Sequence, residues 1–123
     1  MLPTYNPIQH LPPPTNTLHT LTVSSKGRAY LSTALRHHLS LKADQAIDLL
    51  PPSNGSPYWH LDLRPSASRR LYWYIDTRPR IDGLELPPGL LLPDQKLILQ
   101  LQPGEPYFPG FYPMLPHAHP AYR

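Results

Sequence analysis

Apolar and polar positions alternate along this chain in short runs, and turn residues separate the runs. That is the pattern of a small β protein. Residues 18–23, LHTLTV, alternate and predict a strand. A turn is predicted over 24–27, and RAYL at 28–31 predicts the returning strand. Ser32 and Thr33 then place hydroxyls ahead of TALRHHL, where they can accept from unpaired first-turn amides. Leu35 and Leu39 lie one turn apart on one face of this short helix. AIDLL at 46–50 predicts a strand that Pro51 and Pro52 end. Asn54-Gly55 is a hairpin signal that leads into the strand YWHLDL at 58–63. Downstream, LYWYI at 71–75, residues 84–86 and KLILQL at 96–101 predict three more strands.

Composition narrows the class. At 123 residues the chain is long enough for one domain, or one small domain with tails, and 19 prolines against 6 glycines argue against a helix bundle, a coiled coil and a nucleotide-binding doubly wound fold. Cysteine is absent, which removes disulfide scaffolds, thiolate metal sites and thiol catalysis. The sequence has no stretch of apolar residues long enough to span a membrane, and MLPTYNPIQHLPPP lacks the form of a signal peptide. The expected setting is cytoplasmic, with no membrane association. The expected organisation is a proline-rich arm at 1–17, a binding domain at 18–64, a β extension at 65–102 and a proline/aromatic tail at 103–123. The extension packs on the core or forms a partner surface. Tyr107, Phe108, Phe111 and Tyr112 favour a tail that drapes over the fold.

Charge is unevenly placed. Residues 1–43 carry Lys26, Arg28, Arg36 and Lys42, and every acid lies beyond them. A local basic patch of this kind attracts phosphates or an acidic partner. Other chemistry is thinly represented. His117 and His119 form a His-x-His pair in the tail, and His37 and His38 are adjacent, but neither pair makes a closed site without further ligands. No phosphate loop, nucleophile elbow or zincin motif is present. Asp48 and Asp62 lie on strands predicted to pair, the placement of an acid–base couple, yet such carboxylates more often face water. Tyr58, Trp59, Tyr72, Trp73 and Tyr74 could stack bases, but on a small sheet they serve more often as core. No catalytic residue, metal or cofactor is expected.

The run LTVSSKGRAYLSTALRHHLSLKADQAIDLL, extended to Leu63, resembles the AbrB-type swapped-hairpin DNA-binding family, which includes MraZ-like and SpoVT-like regulators. The matching features are the Lys-Gly-Arg turn at 26–28, a short strand ending at Leu31, Leu35-Arg36 and Leu39 on the helix, Leu41-Lys42, and the strand at Ile47. Ser32 stands where the family usually has proline, and Asp44-Gln45 where it has Gly-Asp. The resemblance implies a mostly β fold with one short helix: a swapped-hairpin-like barrel formed by a homodimer, here with added C-terminal strands. It implies contacts to double-stranded DNA from Lys26, Arg28, Arg36 and His37. The function expected on this basis is that of a small transcriptional regulator or antitoxin-like repressor. The alternative is a non-enzymatic interaction module that dimerises through the β core and grips a protein partner with its C-terminal half and tails. Residues 84–102 also echo 29–50, with Leu-Pro-Asp-Gln at 92–95 aligned to Lys-Ala-Asp-Gln at 42–45. One shared Asp-Gln is thin support, and chance likeness of two leucine-rich strands accounts for it.

Overall fold

A computed structural model of the chain describes residues 19–53, 55–73, 78–103 and 108–117. The arm at 1–17, Leu18, Asn54, Tyr74, Ile75, Tyr107 and His119 lie outside the described residues. The elements are β1 (Thr20–Ser24), β2 (Ala29–Leu31), α1 (Thr33–His38), β3 (Ala46–Leu50), β4 (Trp59–Asp62), β5 (Arg69–Arg70), β6 (Arg80–Ile81), β7 (Lys96–Leu101) and β8 (Phe111–Pro116). None of the described helices is long and apolar enough to cross a membrane.

All eight strands join one sheet in the order β5-β3-β4-β8-β7-β1-β2-β6. Each neighbouring pair is antiparallel. The two ends of the sheet then meet. Tyr72 N–H donates to the Arg80 carbonyl and Arg80 N–H to the Tyr72 carbonyl, both at 2.9 Å. The result is a nearly closed barrel, which leaves little free edge to template aggregation. Alternation fills its interior. Leu21 and Val23 of β1, Leu31 of β2, Ile47 and Leu49 of β3, Leu61 of β4 and Leu99 of β7 point inward and are buried. Leu35 closes the core from α1. Ser32 caps that helix as predicted: its Oγ accepts from Leu35 N–H at 3.1 Å and from Thr20 N–H at 3.2 Å.

The two halves of the chain interleave. The first half runs β1-β2-α1-β3-β4 and the second β5-β6-β7-β8. β1 pairs with β7 and β5 with β3, while β2 pairs with β6 and β4 with β8. Exchanging each strand for its counterpart leaves the ring order unchanged. One chain supplies all eight strands, so closure needs no second copy.

The echo between the halves is structural, which corrects the chance reading. In the turn before β3, Lys42 N–H donates to Gln45 Oε1 at 2.6 Å; in the turn before β7, Leu92 N–H donates to Gln95 Oε1 at 2.8 Å. Asp44 and Asp94 both take positive φ, 63° and 66°. The same three-residue reach of a glutamine amide therefore builds the same turn twice. What the second half lacks is the helix, because Pro87, Pro88 and Gly89 stand in its place.

Three further expectations need revision. Residues 84–86 form no strand; the short strand Arg80–Ile81 precedes them instead. LYWYI forms no strand of its own among its described residues: β5 lies just ahead of it at Arg69–Arg70, Leu71 exchanges backbone hydrogen bonds with Asp44 and Gln45, and Tyr72 bridges to Arg80. The described part of the tail is not draped over the surface: β8 sits between β4 and β7 in the ring. Its prolines hide it from pattern reading, since proline normally argues against a central strand. Here Pro113 needs no amide hydrogen, and its carbonyl accepts from Gln102 N–H at 3.1 Å.

Candidate nucleic-acid interface

The outer face of β7, β1 and β2 carries the polar side of the alternation. Thr22 lies in register with Tyr30 on one side and Ile98 on the other, and Ser24 lies in register with Lys96. Ala29 and Leu31 point into the core, which puts Tyr30 outside. At one end of this face is a cleft of about 720 Å³ lined by Thr22, Ser24, Lys26, Arg28, Tyr30 and Arg78, with Asp94 and Lys96 across from them. Three separate chain segments thus bring four bases together with one acid. Lys26 and Arg28 come from the β1–β2 turn, Arg78 from the approach to β6, and Lys96 from the first residue of β7.

These bases are differently occupied. Arg28 Nε stands 3.8 Å from Asp82 Oδ1, a loose and half-exposed pair. Asp82 is more tightly held by Arg80, at 2.9 Å. Among the described residues no ion pair holds Lys26, Arg78 or Lys96. The Arg78 guanidinium carbon lies 5.7 Å from the Tyr30 ring centroid. Ser24 Oγ is buried at the cleft and is the one such side-chain atom among the described residues without a hydrogen-bond partner.

Of the four site residues expected from sequence, Lys26 and Arg28 meet in the cleft. Arg36 and His37 do not join them. α1 begins beside Thr20, where Ser32 N–H donates to the Thr20 carbonyl, so the length of β1, about 13 Å, separates the two pairs. Arg36 instead lies over the Trp73 ring at 4.5 Å, and its Nη2 donates to His37 Nε2 at 3.1 Å. His38 stacks on His19, with centroids 4.2 Å apart. Burial, followed by the proximity of His38, lowers the His19 pKa. Sequence reasoning missed Tyr30, Arg78 and Lys96. The inward neighbours of Tyr30 marked it as outward-facing, but nothing local said that β7 would lie beside β1.

The candidate acid–base pair resolves differently. Asp48 and Asp62 are register partners across β3 and β4, and both are buried rather than facing water. Each carboxylate is taken by its own arginine. Arg69 Nη1 donates to Asp48 Oδ1 at 2.8 Å, and Arg64 Nε donates to Asp62 Oδ1 at 2.9 Å. The aromatic cluster also divides. Trp59 is core, Tyr58 is exposed, and Tyr72 lies under Arg80 at 4.1 Å. His117 hydrogen-bonds to Gln100 Oε1 at 2.7 Å, and the described residues hold no group of three candidate metal ligands.

These pairs set an acid response. The hydrogen bond from Arg64 holds the Asp62 carboxyl below its usual range, against the opposing effect of burial. A depressed carboxylate stabilises the fold above its unfolded value of about 3.9, and that contribution is lost as pH falls through the lower folded value. His60, stacked on Phe111, has its pKa lowered by burial. It too favours the fold above its unfolded value of about 6.5 and opposes it as pH falls through the folded one. Urea midpoints measured from about pH 7 down to pH 3 should therefore decline in two stages. Arg64→Ala should flatten the lower stage, and His60→Leu the upper. An unchanged acid profile in Arg64→Ala would rule out the Asp62 assignment.

Comparison of the chain with protein-family models, curated proteins and solved structures finds no match, so the resemblance to the swapped-hairpin family rests on the sequence pattern over 21–63.

Proposed function

We propose that this chain binds nucleic acid on the outer face of β7, β1 and β2, with phosphates meeting Lys26, Arg28, Arg78 and Lys96. The observation that carries the reading is the convergence of these four bases on one cleft. Phosphate contacts of this kind supply most of the sequence-independent affinity for nucleic acid. The interleaved ring adds support, because the swapped-hairpin family that the sequence resembles builds its barrel from two interlocked halves. The regulatory role implied by that resemblance, a transcriptional regulator or antitoxin-like repressor, is the use such binding would serve. A homodimer would place two such faces on one particle.

The test is a salt titration of a fluorescently labelled mixed-sequence oligonucleotide, offered as duplex and as single strand. Each lost phosphate contact should reduce the slope of log K against log salt by about 0.7 for a single strand or 0.9 for a duplex. Lys26→Ala/Arg28→Ala should therefore lose roughly 1.4–1.8 units of slope. Arg36→Ala/His37→Ala measures whether the ligand also reaches the helix end. Absence of binding to either form at low salt would end the reading. It would also move the function to the interaction module, for which the exposed Leu90, Leu92 and Phe108 speak.

A further inference from the structure

We infer that the nucleic acid held in this cleft is single-stranded, with one unpaired base stacked on Tyr30 and the flanking phosphates on the surrounding bases. The inference rests on the nucleic-acid reading above and names the form of the ligand.

Tyr30 and Tyr72 both stand on the outer face near the seam where the sheet closes, and each has a guanidinium above it. The Tyr72 position is filled. Arg80 lies 4.1 Å from its ring centroid and is pinned there by Asp82 at 2.9 Å. Tyr30 differs. Arg78 stands off at 5.7 Å, no ion pair holds it among the described residues, and its side chain is exposed. A flat base between ring and guanidinium needs about 6.8 Å, twice the stacking rise of roughly 3.4 Å. An outward shift of Arg78 by about 1 Å opens that space, leaving a base sandwiched between an aromatic ring and a guanidinium. Thr22, beside Tyr30 in register, is small enough to leave the edge of the ring clear.

The surroundings fit a strand better than a rod. The cleft's volume of about 720 Å³ suits one nucleotide and parts of its neighbours. A duplex keeps its base faces stacked inside and would have to flip one out to use the ring, at a cost of a few kcal/mol. Nor does the fold push an element into a groove. The β1–β2 turn does not project: the Gly27 carbonyl accepts from Leu84 N–H at 2.9 Å and fastens the turn to the barrel. The helix has six residues, and its arginine is engaged by Trp73. Four bases from three segments exceed what one phosphate needs, which favours a strand over a free mononucleotide.

The experiment compares oligo(dT), its duplex with oligo(dA), and dTMP as a competitor, each by fluorescence anisotropy at fixed low salt. Oligo(dT) should bind more tightly than the duplex, and dTMP should compete only weakly. Tyr30→Leu should weaken oligo(dT) binding by roughly 5- to 150-fold, the equivalent of one stacked base, and leave the salt slope unchanged. Tyr30→Phe should keep the affinity within about twofold, since the ring remains. Should Tyr30→Leu melt early, Arg78→Gln on an exposed side chain is the second probe; it should lose both affinity and slope. If the duplex binds as well as oligo(dT), or Tyr30→Leu costs nothing while Lys26→Ala/Arg28→Ala abolishes binding, the single-strand inference falls and the nucleic-acid reading stands. Failure of both forms to bind wild type removes both. Competition by dTMP at concentrations matching oligo(dT) would overturn the strand in favour of a nucleotide site.

Discussion

Gly27→Ala is expected to lower the stability of the barrel by about 2–5 kcal/mol, a large part of the total for a domain of this size. Two costs combine. Gly27 has φ +77°, and a side chain in that left-handed region costs roughly 1–2 kcal/mol. A Cβ there would also stand 2.6 Å from the Leu84 carbonyl oxygen, which is backbone and cannot swing aside. Relief requires the turn and the 82–87 segment to part, adding roughly 1–3 kcal/mol of overpacking cost. The same movement stretches the Leu84 N–H bond to the Gly27 carbonyl. Gly89 supplies the control. Its φ is also +77°, but a Cβ there meets nothing within 4 Å, so Gly89→Ala should carry the conformational cost alone. Urea denaturation followed by tryptophan fluorescence measures both. Equal losses would show that the contact with Leu84 does not constrain the turn. Because Lys26 and Arg28 flank Gly27, the alanine variant should also weaken ligand binding.

Arg69→Met is expected to cost about 3–5 kcal/mol, the penalty for leaving a buried carboxylate without its partner. Arg69 holds the seam of the barrel. Its Nη1 reaches Asp48, while its Nε and Nη2 donate to the Gly83 carbonyl at 3.1 and 2.6 Å. Asp48 is only 5% exposed, and its other hydrogen bond is from Leu49 N–H at 2.8 Å. Without the guanidinium, β5 loses its tie to the segment after β6, and the closure rests on the Tyr72–Arg80 bridge. The double variant Arg69→Met/Asp48→Leu should be more stable than the single, because it removes the stranded charge as well. If the double variant is no better, the loss lies in the Gly83 contacts instead. Thermal melts of wild type and the three variants, including Asp48→Leu, complete the cycle.

The parts of this fold that depend on neighbours in sequence were legible. Alternation in LTV and AIDLL marked β1 and β3, Ser32 announced the helix it caps, and Lys96–Leu101 matches the strand read from KLILQL. The parts that depend on distant partners were not. β8 carries Pro113 and Pro116, and only its place between β4 and β7 turns a proline-rich tail into a strand. The candidate site divides in the same way. Lys26 and Arg28 share one turn and could be grouped by eye, and Arg36 looked equally near in sequence until β1 was seen to hold it at the far end. Lys96 enters the cleft solely through the pairing of Ser24 with Lys96. The likeness of the turns at 42–45 and 92–95 was visible as two letters. Its weight lay in a backbone conformation that letters do not carry.

The pairing of β1 with β7 also bears on how the chain emerges during synthesis. β2 follows β1 within a few residues and covers one of its edges, but the other edge waits for Lys96–Leu101. At about 5–20 residues per second, roughly 4–14 seconds pass between the making of Ser24 and of Lys96. For that interval the nascent protein offers an open β edge with Leu21 and Val23 still lacking their β7 neighbours, the kind of template on which chains associate. Lys26 and Arg28 lie just beyond that edge, where charge discourages stacking of one nascent chain on another. Charge at this turn is therefore expected to favour soluble nascent chain, apart from the ligand contact proposed for the same two side chains. Their alanine variants should be compared for soluble yield before any loss of binding is assigned to the cleft.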